Sequence, residues 1–507
     1  MTTGAAKARS EWEAPVEDGE AILWPEAGEL IRQTRENHAL LGSADGVFIQ
    51  NIALSELRAR AREWLGHREG GQLLIATGHQ VELLHPGVWA KDVVIDALAG
   101  RTEGAAYHVA VDTDSPKHLQ VRLPGVSVSV TDDARLNVAA WSGLLRSPTT
   151  GHLQALSSIA GKASAQWGYQ PLLGDFLAAM KGAGAGRASL AEALTQAMQE
   201  MNRRLGLRQR AVLAGPMWGA EPYLVFAHHA LARAESFAQG YNAVLMKYRQ
   251  ENGIRSGGRP WPDLKVDGDR CETPFWLDDV SAGERQRAQV VRKRDRWVLE
   301  LKGGGGLVLD EGAEGWRAAE QLGRALAQSG ARLSPRALML TAFVRLLVAD
   351  QFVHGIGGGQ YDRVTDRMIS GWFGVRAPAF SVATATLLFP TAVGQRRVDV
   401  RPLTEEGRRL RHGWADTEKM RVERQIAAAP RRSGQRQELF RLMHRRLAEA
   451  MERREYKEWE RRMEAAWRVS EEQEGIFDRE LFYLIQPAER LRKLIGLYDR
   501  WIGQARG

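Results

Sequence analysis

The run Leu73-Leu74-Ile75-Ala76-Thr77 has no polar alternation, the pattern of a strand covered on both faces, and the helical pattern PGVWAKDVVIDALA begins soon after it. A second apolar run, AAYHVAVD, follows that helix. Strand, helix and strand of these lengths predict a right-handed parallel βαβ unit, with a further short strand in VSVSV. LAEALTQAMQEMNRRLG has helical period, RAVLAG (210–215) predicts another buried strand, and EPYLVFAHHALARAESFAQGYNAVLMKY a long amphipathic helical stretch. The text then changes to QENGIRSGGRPWPD, whose Gly and Pro mark a loop. After it FWLDDV, QVVRKR, RWVLELK and GLVLDE alternate apolar and polar residues, which predicts a small antiparallel β insertion. The α/β text resumes with a helix through LMLTAFVRLLVAD, a strand at QFVHG and a Gly-rich turn into the helix YDRVTDRMISGWFG. Beyond Arg401, Leu439, Met443, Leu447, Met451, Trp459, Met463 and Trp467 recur mostly every four residues among Arg and Glu, the stripe of a coiled coil or helical hairpin.

The expected fold class is therefore α/β: a Rossmann-like parallel sheet core with a small β insertion and a C-terminal α-helical coiled-coil segment. The expected boundaries are 1–248 for the first part of the core with its helical insertion, 249–310 for the β insertion, 311–400 for the second part of the core with its Gly-rich loop, and 401–507 for the coiled-coil helices.

Composition narrows the classes. A chain of 507 residues, 44% hydrophobic and 26% charged, buries a sizeable core and is expected to fold nearly throughout. Its single cysteine, Cys271, excludes an internal disulfide, and the first residues lack the apolar core of a signal peptide, so a cytoplasmic location is expected. Arg345 and Asp350 break the most apolar long segment, so no membrane span is expected. A net charge of +8 suits an anionic small-molecule substrate or nucleic acid; without a recognition motif for nucleic acid, the small anion is the expected partner.

Three places carry candidate chemistry. Thr77, Gly78, His79 and Gln80 end the first buried strand, and His85 and Gly87 flank Pro86 where the next helix starts, so that free N–H groups and neutral-range histidines meet at a strand end. HPGV is similar to the HxGH signature of class I synthetases and nucleotidyltransferases, with Val88 in the last histidine's place. The next strand ends in VDTDSPKH, giving Asp112, Asp114 and His118; the two carboxylates suit a divalent cation or substrate hydroxyls and amines, and equally suit helix capping. In FVHGIGGGQYD, Gly355, Gly357, Gly358 and Gly359 precede Tyr361 and Asp362 and allow a backbone nest for phosphate or carboxylate oxygens. This is neither a dinucleotide fingerprint, because Gln360 replaces its last glycine, nor a P-loop.

These three blocks, in this order, resemble the cysteine-adding enzymes of bacillithiol synthesis, the BshC family. TGHQVELLHPGVWAKDVVIDALA resembles that family's TGQQ-leading segment, AYHVAVDTDSPKH its acidic segment, and LSPRALMLTAFVRLLVADQFVHGIGGGQYDRV its SPN-type segment and Gly-rich, tyrosine-containing loop; QPAERLRKL adds a fainter likeness. His79 stands where the family has glutamine, and Gly358 where it has an acidic residue. The resemblance implies a nucleotidyltransferase-related core, a coiled coil that dimerises, and a ligase reaction that joins cysteine to an amino-sugar amine as an amide.

The expected function is thus a BshC-like ligase or transferase. His79 or His118 moves protons, Asp112 or Asp114 orients the amine, and Thr77, Gly78, Gln80, His85, Gly87, Gly355, Gly357, Gly358, Gly359, Tyr361 and Asp362 line the substrate or nucleotide pocket. No residue is assigned to a metal; ATP or ADP is compatible with the loops, though no motif names the cofactor. The expected assembly is a homodimer through the C-terminal helices. Two other readings stay open: a metal-dependent nucleotide-sugar glycosyltransferase using Asp112 and Asp114, and a non-enzymatic assembly or nucleic-acid-binding protein acting through the basic helical tail.

Overall fold

Six short segments, the inner ones apolar enough to be covered on both faces, pair into one sheet: β1 (Ala21–Trp24), β2 (Leu74–Gln80), β3 (Ala105–Val111), β4 (Arg210–Leu213), β5 (Gln351–His354) and β6 (Phe380–Ala385). The computed structural model describes residues 12–67, 72–183, 189–258, 261–301, 305–412 and 416–505. The strand order is β1-β6-β5-β2-β3-β4, and every pairing is parallel except that of β1 with β6. From β2 the chain steps outward through β3 to β4, then crosses to the other side for β5 and β6. The winding direction therefore reverses between β2 and β5, the place where open α/β sheets bind ligands.

Two helices lead away from that reversal. The first, α1 (Pro86–Thr102), joins β2 to β3, and the second, α2 (Ile356–Trp372), joins β5 to β6. Proline at the first helical position suits the start of α1, because its missing N–H has no partner there anyway. At the other end Glu103 takes a left-handed conformation (φ 53°) and Gly104 passes close to the Leu73 carbonyl, where a Cβ would fall 2.7 Å away. Trp89 of α1 stacks on Tyr483, with centroids 4.9 Å apart and rings 13° from parallel, and the Tyr483 N–H donates to the Leu84 carbonyl at 2.9 Å. The segment that begins at Arg479 thus covers α1.

The β insertion is antiparallel as its alternation predicts: Arg270–Asp279, Glu284–Lys293, Arg296–Glu300 and Gly306–Leu309 pair in sequence, and Ala331–Pro335 adds to the far edge of Arg270–Asp279. Buried Asp278 accepts from Arg285 at 2.7 Å and Arg332 at 3.0 Å, and Arg285 also reaches the Thr113 carbonyl at 2.7 Å, just past β3.

Several local expectations need correction. The short strand in VSVSV is present as Val126–Ser129, paired with Gln120–Leu123 in a hairpin apart from the main sheet. The helical stretch after RAVLAG is two helices, Glu221–Ala232 and Ala234–Glu251. The helix through LMLTAFVRLLVAD is α-helical only over Ala337–Phe343, then widens into a π turn at Val344–Val348.

The chain divides into two compact units, one of residues up to Leu387 together with the segment from Arg479, the other Leu388–Asp478. In the second unit the apolar stripe is split between Gly434–Met451 and Arg454–Glu474. Trp459 packs against Gly407 of the helix Arg401–His412, leaving no room for a Cβ there, and its Nε1–H donates to the Leu403 carbonyl at 2.6 Å. Trp467, by contrast, is exposed. No helix among the described residues is long and apolar enough to cross a membrane.

Candidate functional site

Thr77 of β2 pairs with Val353 of β5, and Gln80 with Val111 of β3, so the carboxyl ends of the three candidate strands lie side by side on one edge of the sheet. Parallel pairing across single crossovers imposes this. What the named residues do at that edge differs from one to the next.

Thr77 and Gly78 are structural. The Thr77 hydroxyl donates to the Val353 carbonyl at 2.7 Å, stapling β2 to β5, and Gly78 lies so close to β3 that a Cβ would fall 3.2 Å from the Val109 carbonyl oxygen. Past them the ring of His79 bonds through Nε2 to Glu82 at 2.9 Å. A carboxylate only accepts, so Nε2 carries the proton and Nδ1 presents its lone pair. Burial, helped by Lys91, pushes the His79 pKa down to about 4, so the ring is neutral near pH 7.

Glu82, which sequence reasoning missed, organises this corner. Its second oxygen accepts the backbone N–H groups of Lys117 and His118, both at 3.2 Å, so one buried carboxylate ties the loop after β2 to the loop after β3. Burial works to raise its pKa, but the hydrogen bond and charge of His79, with His118 and the Lys117 amide, outweigh that and hold it below the ordinary value. The side chain of Gln80 donates to Asp114, which also accepts the Ser115 N–H at 2.9 Å. Asp112 takes no part: buried, it accepts the Gly215 N–H at 2.6 Å and fastens the turn Gly215–Gly219, and burial raises its pKa. The two aspartates are each committed to protein partners, and no cluster of three or more metal-binding side chains occurs among the described residues.

His85 caps α1: its Nδ1 accepts the Gly87 N–H at 3.1 Å. That bond leaves Nε2–H as an outward donor. Burial, with the charge of Arg479 next, lowers the His85 pKa to about 3. Lys91, on the second turn of α1, is buried and donates to the Gly78 carbonyl at 2.8 Å; burial brings its pKa down to about 8. Its stem also reaches across to Gly355, where a Cβ would sit 4.0 Å from Lys91 Cδ. Lys91 thereby links the β2 end to the β5 end. It is a second residue missed, because a lone lysine in an apolar helical run carries no motif.

The glycine run is not a loop. Helix α2 starts at Ile356, so Gly357, Gly358 and Gly359 form its first turn and Gly355 is its cap. Packing explains two of them: a Cβ at Gly359 would lie 2.5 Å from Val382, and one at Gly358 2.8 Å from His354 Nδ1. Gly357 meets nothing. Tyr361 packs edge-on against Trp261, with centroids 5.0 Å apart, rather than facing the strand ends. Asp362 is likewise spent: it bonds Arg345 and, at 2.8 Å, His354, and although burial opposes ionisation, the charges of Arg345 and His354 bring its pKa to about 2.

The structure thus defines a mixed α/β protein whose mostly parallel six-stranded sheet reverses at an edge that carries His79, His85 and the buried Lys91. No protein-family model matches the chain, and no curated protein matches it significantly.

Proposed function

We propose that the chain is a BshC-like ligase or transferase with a Rossmann-like core, joining cysteine or another amino acid to the amine of an amino-sugar or similar compound as an amide. The observation that carries the reading is the His79–Glu82 pair at the sheet reversal, with the Lys117–His118 turn on the same carboxylate. Glu82 fixes the tautomer that leaves His79 Nδ1 free to accept a proton from the attacking amine. In this reading the carboxylate of Asp114, besides its bonds to Gln80 and the Ser115 N–H, accepts from and orients that amine. The acyl carbon needs activation: in this reading the amino acid's carboxylate attacks a phosphorus of ATP or ADP, the amine then displaces the phosphate or nucleotide so attached with its proton passing to His79, and the anionic substrate lies against the start of α1. A cytoplasmic homodimer through the helices carrying Phe440 and Trp467, both exposed, belongs to the same reading.

The test is turnover: the full chain, cysteine, a glucosamine conjugate and ATP are incubated and the amide is followed by mass spectrometry. Wild type is expected to form it and His79→Ala to lose about 100-fold or more of the rate. Equal rates in the two proteins, or no amide from any amino acid and amine pair, overturn the reading.

A further inference from the structure

Between α1, β3, the helix Leu190–Leu205 and the start of β4 the core is not wholly apolar. A small cavity there is lined by the polar side chains of Asp92, His108, Thr195, Gln199, Asn202 and Gln209. All but Gln199 are at most 8% exposed, so each polar atom needs a partner inside the protein.

Most have one. His108 Nδ1 bonds Asp92 at 2.6 Å, Asn202 Oδ1 accepts the Trp89 Nε1–H at 2.8 Å and the Tyr483 hydroxyl at 3.2 Å, and Gln199 Oε1 accepts the Ala211 N–H at 3.3 Å. The Thr195 hydroxyl and Gln209 Oε1 have no partner among the described residues. Because a carboxylate only accepts, Asp92 fixes a proton on His108 Nδ1, and the ring's Nε2 has no hydrogen-bond partner among the described residues either. Thr195 is unusual for a helical threonine. Thr34, Thr102 and Thr341 each return the hydroxyl to the carbonyl four residues back, and Thr195 does not.

Volume and charge select the occupant. The cavity measures about 20 Å³, room for one water molecule and not for an organic group. The charge of Asp92 is shared between its bond to His108 and the neighbouring Lys91 cation, so no uncompensated negative charge calls for a metal or ammonium ion.

We propose that this cavity is a binding site for a single internal water molecule, which accepts from the Thr195 hydroxyl, donates to Gln209 Oε1 and bonds His108 Nε2. Water offers two donors and two acceptors, which suits a hydroxyl, a carbonyl oxygen and a ring nitrogen around one point. The bridge joins the helix Leu190–Leu205, the residue before β4 and β3, and through Asp92 it reaches α1. A polar network satisfied in this way gives the packing of four elements one register.

A high-resolution crystal structure of the full chain tests it. One ordered water is expected about 2.7–3.2 Å from both Thr195 Oγ1 and Gln209 Oε1. The Thr195→Val, Gln209→Met double variant, which nearly keeps the side-chain volumes and removes both partners, is expected to lose that water, and Thr195→Ser to keep it. In solution, magnetic relaxation dispersion of water should read the same change as the loss of one long-lived water per chain. A wild-type structure in which the Thr195 hydroxyl and Gln209 bond each other or further protein groups overturns the site, and so does a water that stays in place in the double variant. If circular dichroism shows that the double variant is not folded, loss or retention of the water in Thr195→Val decides. Thermal midpoints in ammonium chloride and in sodium chloride at equal ionic strength separate water from a cation: equal values are expected, and a midpoint raised by ammonium overturns the assignment.

Discussion

Two helices begin on either side of the sheet reversal, each with glycine in its first turn, and they use it oppositely. At α1 the space kept clear by Gly87 is filled by polar groups from three parts of the chain: His85, Thr384 and Arg479. At α2 the space kept clear by Gly359 is filled by Val382, and the charges nearby are already paired: Arg345 with Asp362 and Asp366, and His354 with Asp362. One start collects charge without neutralising it; the other is a closed joint. Glycine content does not decide how the two starts differ; the side chains that fill the cleared space do.

Breaking the closed joint should have the largest effect. The Asp362→Asn, Asp366→Asn double variant leaves Arg345, which is 2% exposed, without a carboxylate beside it, and is expected to destabilise by about 3–5 kcal/mol in denaturant unfolding. A loss below about 1 kcal/mol would show that the Arg345 network is not closed as described. Next in size, Gly359→Ala places a methyl 2.5 Å from Val382 and should cost about 1–3 kcal/mol, while Gly357→Ala, two residues earlier and in open space, should gain about 0.5–1 kcal/mol from the lower entropy of the unfolded chain. Equal effects at the two positions would erase the distinction between packed and open turns of α2.

The smallest effect is a difference in acid response. His79 and His85 have folded pKa values of about 4 and about 3 against an ordinary 6.5, so below pH 6.5 the unfolded chain binds more protons and stability falls as pH drops toward those values. Asp362 has a folded value of about 2 against 3.8, so its contribution is complete above 3.8 and is lost as pH falls through about 2. Thermal midpoints from pH 7 to pH 3 should therefore decline already near pH 6 in wild type, and less steeply in a His79→Gln, His85→Gln double variant. Identical slopes would mean that the α1 histidines are not held neutral.

Much of this arrangement was legible locally. Uninterrupted apolar runs located β2, β3, β4 and β5, alternation located the insertion, and His85-Pro86-Gly87 marked the start of α1. What escaped depends on distant partners. Glu82 is an ordinary acidic residue until the β3 loop brings two amides to it, Lys91 reads as part of a helix pattern, and Arg479 lies in text that lacks a site signal. The β1 strand pairs antiparallel with β6 far along the chain, a pairing that no local pattern encodes. The glycine run was misplaced by one helical turn, because a helix can start on glycine when tertiary packing sets its first turn.

The order in which the chain is made gives the clamp of Tyr483 on Trp89 and Leu84 a further meaning. Synthesis delivers β2 and α1 early, yet the guanidinium beside Gly87 arrives only with the last part of the chain, after the whole Leu388–Asp478 unit has been made. Until then Trp89 and the Leu84 carbonyl lack the ring and the N–H of Tyr483. The packing around α1 is then completed only after the Leu388–Asp478 unit has been made.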